Sequence, residues 1–246
     1  MFPIFTVIWN QISLGQSPRG YDRFLVSVKF GSVYSFWGLS VSDVASEVAD
    51  ALFRSGCLKF GTFRIKSGAL SPYYIDLSCL LSSPRDLCRV VDAVADEIRR
   101  IMAFERIDKL SSIELKGALL LPSIACRVNL PCVIVRKAEK RYGVIGRVAG
   151  GEVVRGEHVL FFDDVVTDGT SKLEGIKPLE QLGARIETVM VLVDREQGGG
   201  ENIERVGYKF RALTTISELA RCLLQSSYIS EEQADAVLDY VRRSRG

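Results

Sequence analysis

Histidine is almost absent from this chain, since His158 is the only one among 246 residues. Mechanisms that need a histidine base, a Ser-His-Asp triad or several histidine metal ligands are therefore excluded. The six cysteines form no CxxC pair and have no histidine beside them, so neither a zinc site nor a redox dithiol is predicted. Free thiols in a reducing compartment fit this pattern best.

An excess of one charge is also lacking. Thirty-two basic and 30 acidic residues leave a net charge of +2, so the chain has no overall positive field for nucleic acid, and any anion site must be local. The apolar run from Met1 to Trp9 is too short to span a bilayer and lacks the flanks of a signal peptide. We expect no nucleic-acid partner, no membrane partner and a cytoplasmic location.

The composition that remains is typical of a packed globular protein, with 47% hydrophobic and 25% charged residues. Glycine and proline interrupt residues 1–40, which we treat as an N-terminal extension of uncertain structure, and a domain is predicted over residues 41–246. Ser42 is a candidate cap for a first helix that stops at Gly56, and Ser83 with Pro84 announces a second helix.

Strands and helices then alternate along the chain. Short apolar runs at 107–113, 132–135, 159–162 and 188–193 are separated by helical patterns near 117–128 and 171–182, and two helices broken near 227–230 follow over 215–245. This alternation predicts an α/β fold with a mostly parallel twisted sheet flanked by helices. Ligands of such sheets bind beyond the carboxyl ends of the strands.

One of those ends carries the strongest chemical signal. An apolar strand runs into Asp163 and Asp164, here called the acid pair, and then into a polar turn that opens a helix. Turn N–H groups, hydroxyls and a helix dipole suit a phosphate, and the acid pair suits sugar hydroxyls or a Mg²⁺-bearing ligand. The alternative is an acidic loop in which Thr170 or Ser171 only caps the helix. The motif comprises Asp163, Asp164, Val165, Val166, Thr167, Asp168, Gly169, Thr170 and Ser171, of which Thr167–Ser171 is here called the phosphate turn.

Three further segments are informative beside it. Segment 63–76 places Lys66 next to a tight turn and follows it with Tyr73 and Tyr74, which suits a planar anion. Residues 136–141, here called the basic loop, hold four basic residues and one acid after an apolar strand. Loop 193–199 carries Arg195, whose guanidinium can grip a carboxylate through two parallel hydrogen bonds. Taken alone, segment 63–76 is equally well interpreted as a surface turn. A charge run such as the basic loop is more often only solvated surface.

Together, the four motifs resemble the orotate phosphoribosyltransferase family of type I phosphoribosyltransferases, in the family's order and over roughly residues 42–246. The resemblance implies the type I phosphoribosyltransferase fold with a small N-terminal hood. It implies that the motif from Asp163 to Ser171 binds phosphoribosyl diphosphate (PRPP). It further implies that Lys66, Tyr74, Ile75 and Thr167 border orotate while Arg195 grips it from the far side.

The same resemblance makes the basic loop a mobile lid over the diphosphate. It implies that Arg136, Lys137 and Lys140 contact the diphosphate, with Tyr142 nearby, and that Lys140 stabilises the transition state. The lid of the family reaches the partner's active site, so a homodimer with shared sites is implied. Loop Glu114–Gly117 follows the first sheet strand, where backbone N–H groups and the Lys116 ammonium suit the diphosphate, although a plain helix start is the alternative.

The implied reaction joins orotate and PRPP to give orotidine 5′-monophosphate and diphosphate in pyrimidine synthesis. Its catalytic residues would be Lys140, Lys137, Asp163 and Asp164. Mg²⁺ is the expected cofactor, carried by PRPP near the acid pair, with no direct side-chain ligand. Association with orotidine monophosphate decarboxylase is left open.

Two rival functions remain at this point. A phosphoribosyltransferase for another base would not need Lys66 or Arg195, and a non-catalytic PRPP-binding regulator would not need the lysines of the basic loop. Asp168 departs from the small or hydroxyl residue usual in the family, and its charge is expected to weaken PRPP binding unless it points outward. Asp168→Thr is then expected to lower the KM for PRPP.

Overall fold

A central six-stranded sheet organises the molecule. The computed structural model describes residues 41–65, 68–140 and 146–244. The strands of the sheet are β3 (Lys109–Ile113), β4 (Cys132–Lys140), β5 (Gly146–Ala149), β6 (Val159–Val166), β7 (Thr188–Asp194) and β8 (Lys209–Thr215). The strand order is β5-β4-β3-β6-β7-β8, and every neighbouring pair is parallel except β4 and β5. The predicted α/β class and the mostly parallel sheet are confirmed.

Alternating side chains along each inner strand feed two separate apolar cores. In β6, Leu160 and Phe162 join the core on one face, whereas Val159 and Phe161 join the core on the other. Because both faces are covered, the strand appears in the sequence as a continuous apolar run. The helices are α1 (Val41–Arg54), α2 (Pro84–Met102), α3 (Lys116–Val128), α4 (Thr170–Gln181), α5 (Gly199–Arg205), α6 (Ile216–Gln225) and α7 (Glu231–Ser244).

A small antiparallel hairpin precedes the sheet. It consists of β1 (Leu58–Arg64) and β2 (Leu70–Ile75), followed by a 3-10 helix at Leu77–Ser82. Tyr73 of β2 is buried in the same core as α1 and α7. This hairpin is the small N-terminal hood, and it carries most of segment 63–76.

Several predicted boundaries shift. Helix α1 already begins at Val41, so Ser42 lies inside it rather than before it, and α5 and β8 have no counterpart in the prediction. Strand β4 does not end at Val135 but continues through Lys140 as an antiparallel pair with β5. The apolar run stops at Val135, since Val133 and Val135 are buried whereas Lys137 and Ala138 are exposed. The basic loop is therefore largely strand.

Some expectations lie outside the described residues, namely those for residues 1–40, Lys66 and Tyr142 and for the side chain of Lys140. Within the described ranges, no helix is both long and apolar enough to cross a bilayer.

Candidate active site

Three loops meet at the carboxyl ends of the parallel strands. The Glu114–Gly117 loop follows β3, the phosphate turn follows β6, and loop 193–199 follows β7. Strands β3, β6 and β7 are neighbours in the sheet, so the loops share one edge. The sequence motifs are thus brought together where ligands of parallel sheets bind.

The phosphate turn is a tight left-handed bend. Gly169 has φ +83° and immediately precedes α4, so neither Thr170 nor Ser171 is the cap of that helix. The carboxylate of Asp168 accepts the N–H of Thr170 at 3.0 Å and is exposed. An anion supplied by the chain itself therefore already engages one N–H group of this turn.

The acid pair is divided between two environments. Oδ2 of Asp163 lies 2.8 Å from Nζ of Lys172, and Oδ1 accepts the backbone N–H of Asp164 at 2.9 Å. Burial, reinforced by the neighbouring charge of Asp163, raises the pKa of Asp164 to about 7. Asp164 therefore changes its charge near neutral pH, next to a carboxylate that is bonded to Lys172.

A glycine makes room for Asp163. A Cβ atom on Gly117, at the start of α3, would lie 2.1 Å from Oδ1 of Asp163 and 2.5 Å from Oγ of Ser112. These distances are far inside van der Waals contact, so only glycine lets α3 approach the acid pair this closely.

Lys116 bridges the hood and the sheet. Its Nζ lies 3.1 Å from Oδ1 of Asp76, the residue that follows β2. Burial alone would lower the pKa of Lys116, but the Asp76 carboxylate, with a further contribution from Asp164, raises it. Lys116 is thus a firmly charged cation between the hood and the acid pair.

Two adjacent tyrosines of the hood have different surroundings. Tyr73 is 1% exposed, and its hydroxyl oxygen accepts a hydrogen bond of 2.9 Å from Nε of Arg195, whose guanidinium lies 5.0 Å from the ring centre. Tyr74 is 44% exposed and packs on Phe63, while Ile75 is partly buried. Tyr73 therefore fixes Arg195, and Tyr74 offers an open ring face.

The basic loop is attached to the Glu114–Gly117 loop through a backbone N–H group. The N–H of Lys137 donates to the Glu114 carboxylate at 2.7 Å, and Nε of Arg147 donates to the carbonyl of Arg136 at 3.1 Å. The side chain of Lys137 is exposed, and that of Arg136 is partly buried.

Loop 193–199 rests directly on the phosphate turn. The N–H of Arg195 donates to the carbonyl of Val166 at 3.1 Å, and Nδ2 of Asn202 donates to the carbonyl of Asp168 at 3.0 Å. A Cβ on Gly199 would lie 2.7 Å from the carbonyl oxygen of Thr167, so the two backbones touch.

Two residues of this arrangement, Asp76 and Lys172, have no role in the sequence prediction. Tyr73 and Glu114 lie in predicted segments, but their contacts with Arg195 and with the N–H of Lys137 were not predicted. A signal exists for Lys172, since it shares the three- and four-residue spacing of the buried Ile176 and Leu179 in α4. Among the described residues, no group of three or more His, Cys, Asp or Glu side chains is arranged to hold a metal ion.

A parallel sheet with an acid pair and a glycine turn at its edge, below a small antiparallel hood, defines a type I phosphoribosyltransferase. A crystal structure of orotate phosphoribosyltransferase from Aeropyrum pernix matches 74% of this chain and 99% of that chain, with a TM-score of 0.63 and 28% identity. Orotate phosphoribosyltransferase of Pyrococcus horikoshii is 35% identical over 188 residues, which are 76% of this chain and 97% of that protein. The chain belongs to the orotate phosphoribosyltransferase family, whose members are pentosyltransferases.

Two other comparisons complete these findings. The structure of Leishmania donovani UMP synthase matches 85% of this chain at 26% identity and a TM-score of 0.73, but this chain spans only 44% of that one. No protein-family model matches the chain.

Proposed function

We propose that the protein transfers the phosphoribosyl group of PRPP to orotate with the help of Mg²⁺. The bond between C1′ and the diphosphate oxygen breaks, a bond from N1 of orotate to C1′ forms, and the N1 proton leaves to solvent. The observation that carries the proposal is the meeting of the acid pair, the phosphate turn and Arg195 at one sheet edge in a chain of this family.

The residue roles follow the charges of the substrates. The phosphate turn binds the 5′-phosphate through backbone N–H groups at the start of α4. The acid pair binds the ribose hydroxyls near the ring that becomes positive as diphosphate leaves, which lowers the barrier electrostatically. Lys116, Arg136, Lys137 and Lys140 receive the diphosphate, with Tyr142 nearby.

The orotate site lies on the hood side. Arg195, fixed by the buried Tyr73, presents its guanidinium to the orotate carboxylate, and the open face of Tyr74 accepts the planar ring. Ile75, Thr167 and Lys66 complete this site in our proposal. A phosphoribosyltransferase for another base has no need for a guanidinium held in this way, which disfavours that rival.

The donor set at the acid pair fits a Mg²⁺ ion held mainly by the substrate. Asp163 is bonded to Lys172, so within the acid pair only Asp164 would face the ion, and we expect no direct side-chain ligand. Mg²⁺ commonly keeps several waters and binds through one or two carboxylates plus substrate phosphates. When bound, the ion would neutralise charge on the leaving diphosphate.

We further propose a homodimer in which the basic loop of one subunit closes over the site of the other. Association with the decarboxylase that acts next is supported by the match to a UMP synthase chain more than twice as long as the matched part. The cytoplasmic location stays a prediction.

The decisive test follows orotate absorbance after purified protein is mixed with PRPP and Mg²⁺, with adenine, uracil and nicotinate as alternative acceptors. Magnesium-dependent consumption of orotate alone supports the proposal. Consumption of another base instead supports a sister enzyme, and PRPP binding without any reaction supports the regulator. Lys140→Ala is expected to lower kcat far more than substrate binding, and a normal kcat would refute its role.

A further inference from the structure

Lys172 is a buried charge to which the proposed reaction assigns no task. Its side chain is 7% exposed, and its ammonium has three acceptors: Asp163 Oδ2 at 2.8 Å, the Val165 carbonyl at 2.6 Å and Ser171 Oγ at 3.4 Å. An ammonium has three N–H donors, so its hydrogen-bonding capacity is filled. Burying an ammonium is costly unless it is paired in this way, so the Lys172–Asp163 pair is an integral part of the structure at this site.

Asp163, the partner of Lys172, is enclosed by two helices. Its Oδ2 contacts Lys172 of α4, and its Oδ1 lies so close to the start of α3 that a Cβ atom on Gly117 would be 2.1 Å away. Asp164 acts electrostatically on Lys116, which contacts the hood through Asp76. Both oxygens of Asp163 already have partners, Lys172 and the N–H of Asp164.

We propose that Lys172 is a positioning residue that holds Asp163 against α4, so that Asp164 alone contacts the ribose hydroxyls of PRPP. Its contacts to Val165 and Ser171 also connect the end of β6 to the last residue of the phosphate turn. The inference rests on the proposed function, because it divides the work of the acid pair between one substrate contact and one internal anchor.

A charge-cancelling pair of variants tests this division. Lys172→Met leaves Asp163 buried without its cation, and we expect Mg²⁺·PRPP affinity to fall by roughly tenfold or more while the KM for orotate changes little. Adding Asp163→Asn removes the stranded charge, so the double variant is expected to recover most of that affinity. Asp164→Asn is expected to lose the affinity in either background. Lys177→Met, on the exposed side of α4, is the matched control.

Calorimetric binding of Mg²⁺·PRPP without any base gives a readout independent of orotate turnover. If wild-type protein does not bind Mg²⁺·PRPP, the proposed function fails, not this inference. If wild type binds but the double variant is as weak as Lys172→Met, Asp163 contacts the ribose itself and the inference is overturned. If Lys172→Met does not fold, the double variant Lys172→Gln/Asp163→Asn, which keeps a hydrogen-bonded amide pair, is used instead. Its Mg²⁺·PRPP affinity is compared with that of Asp163→Asn alone, and a double variant that binds no more tightly than Asp163→Asn overturns the inference.

Discussion

Replacing Gly117 by alanine tests how tightly the acid pair is built. The added methyl would lie 2.1 Å from Oδ1 of Asp163 and 2.9 Å from the Asp163 Cα, a backbone atom that cannot step aside. Either the start of α3 moves outward, or the Asp163 carboxylate turns and leaves Lys172. Both changes disturb the edge at which we place PRPP.

The magnitude follows from these two routes. Overpacking a tight site costs about 1–3 kcal/mol, and removing one partner of a buried ion pair costs about 3–5 kcal/mol. Alanine in a helix returns about 1 kcal/mol relative to glycine. The net loss is then about 0–2 kcal/mol if α3 moves outward and about 2–4 kcal/mol if the carboxylate leaves Lys172, so the Tm of a domain of this size falls by up to roughly 15 °C.

Thermal unfolding and the KM for PRPP provide the assay. Ser123→Ala, at an exposed position of the same helix, is the matched control and is expected to leave both quantities nearly unchanged. We expect Gly117→Ala to raise the KM for PRPP more than that for orotate. A Tm and KM equal to those of the control would refute the geometry of the Gly117 contact.

Three further predictions concern ionisation, orientation and stability. Because the pKa of Asp164 is raised to about 7, Mg²⁺·PRPP affinity should fall by up to about tenfold per pH unit below that value and level off above it, whereas the weak residual binding of Asp164→Asn should lack the fall between about pH 7 and 6. Tyr73→Phe removes the acceptor that holds Arg195, so the KM for orotate should rise about fivefold with the KM for PRPP unchanged, whereas Tyr240→Phe, which keeps the ring contact, should change neither. Thr215→Val breaks the capping box of α6 and should cost about 1 kcal/mol in urea unfolding without altering turnover; an unchanged unfolding midpoint would contradict the cap.

The sequence predicts the sheet well because fully buried strands are apolar runs, and the site motifs then follow at the strand ends. It could not tell Tyr73 from Tyr74, since β2 shows no alternation of polar and apolar residues that would assign its faces. The sequence does not predict strand β8, because this edge strand mixes charged residues with apolar ones. Partners from other elements, such as Asp76 for Lys116 and Lys172 for Asp163, depend on contacts that sequence spacing does not record.

The backbone contact between Gly199 and the phosphate turn fixes the distance between loop 193–199 and that turn. With Arg195 hydrogen-bonded to the carbonyl of Val166, main-chain atoms set the separation between the guanidinium that we propose for the base carboxylate and the turn that we propose for the 5′-phosphate. A single inhibitor that joins both groups must match that separation, because neither end can adjust without displacing the other. Altering base preference is then a matter of exchanging side chains, since lengthening either loop would break the contact on which both sites depend.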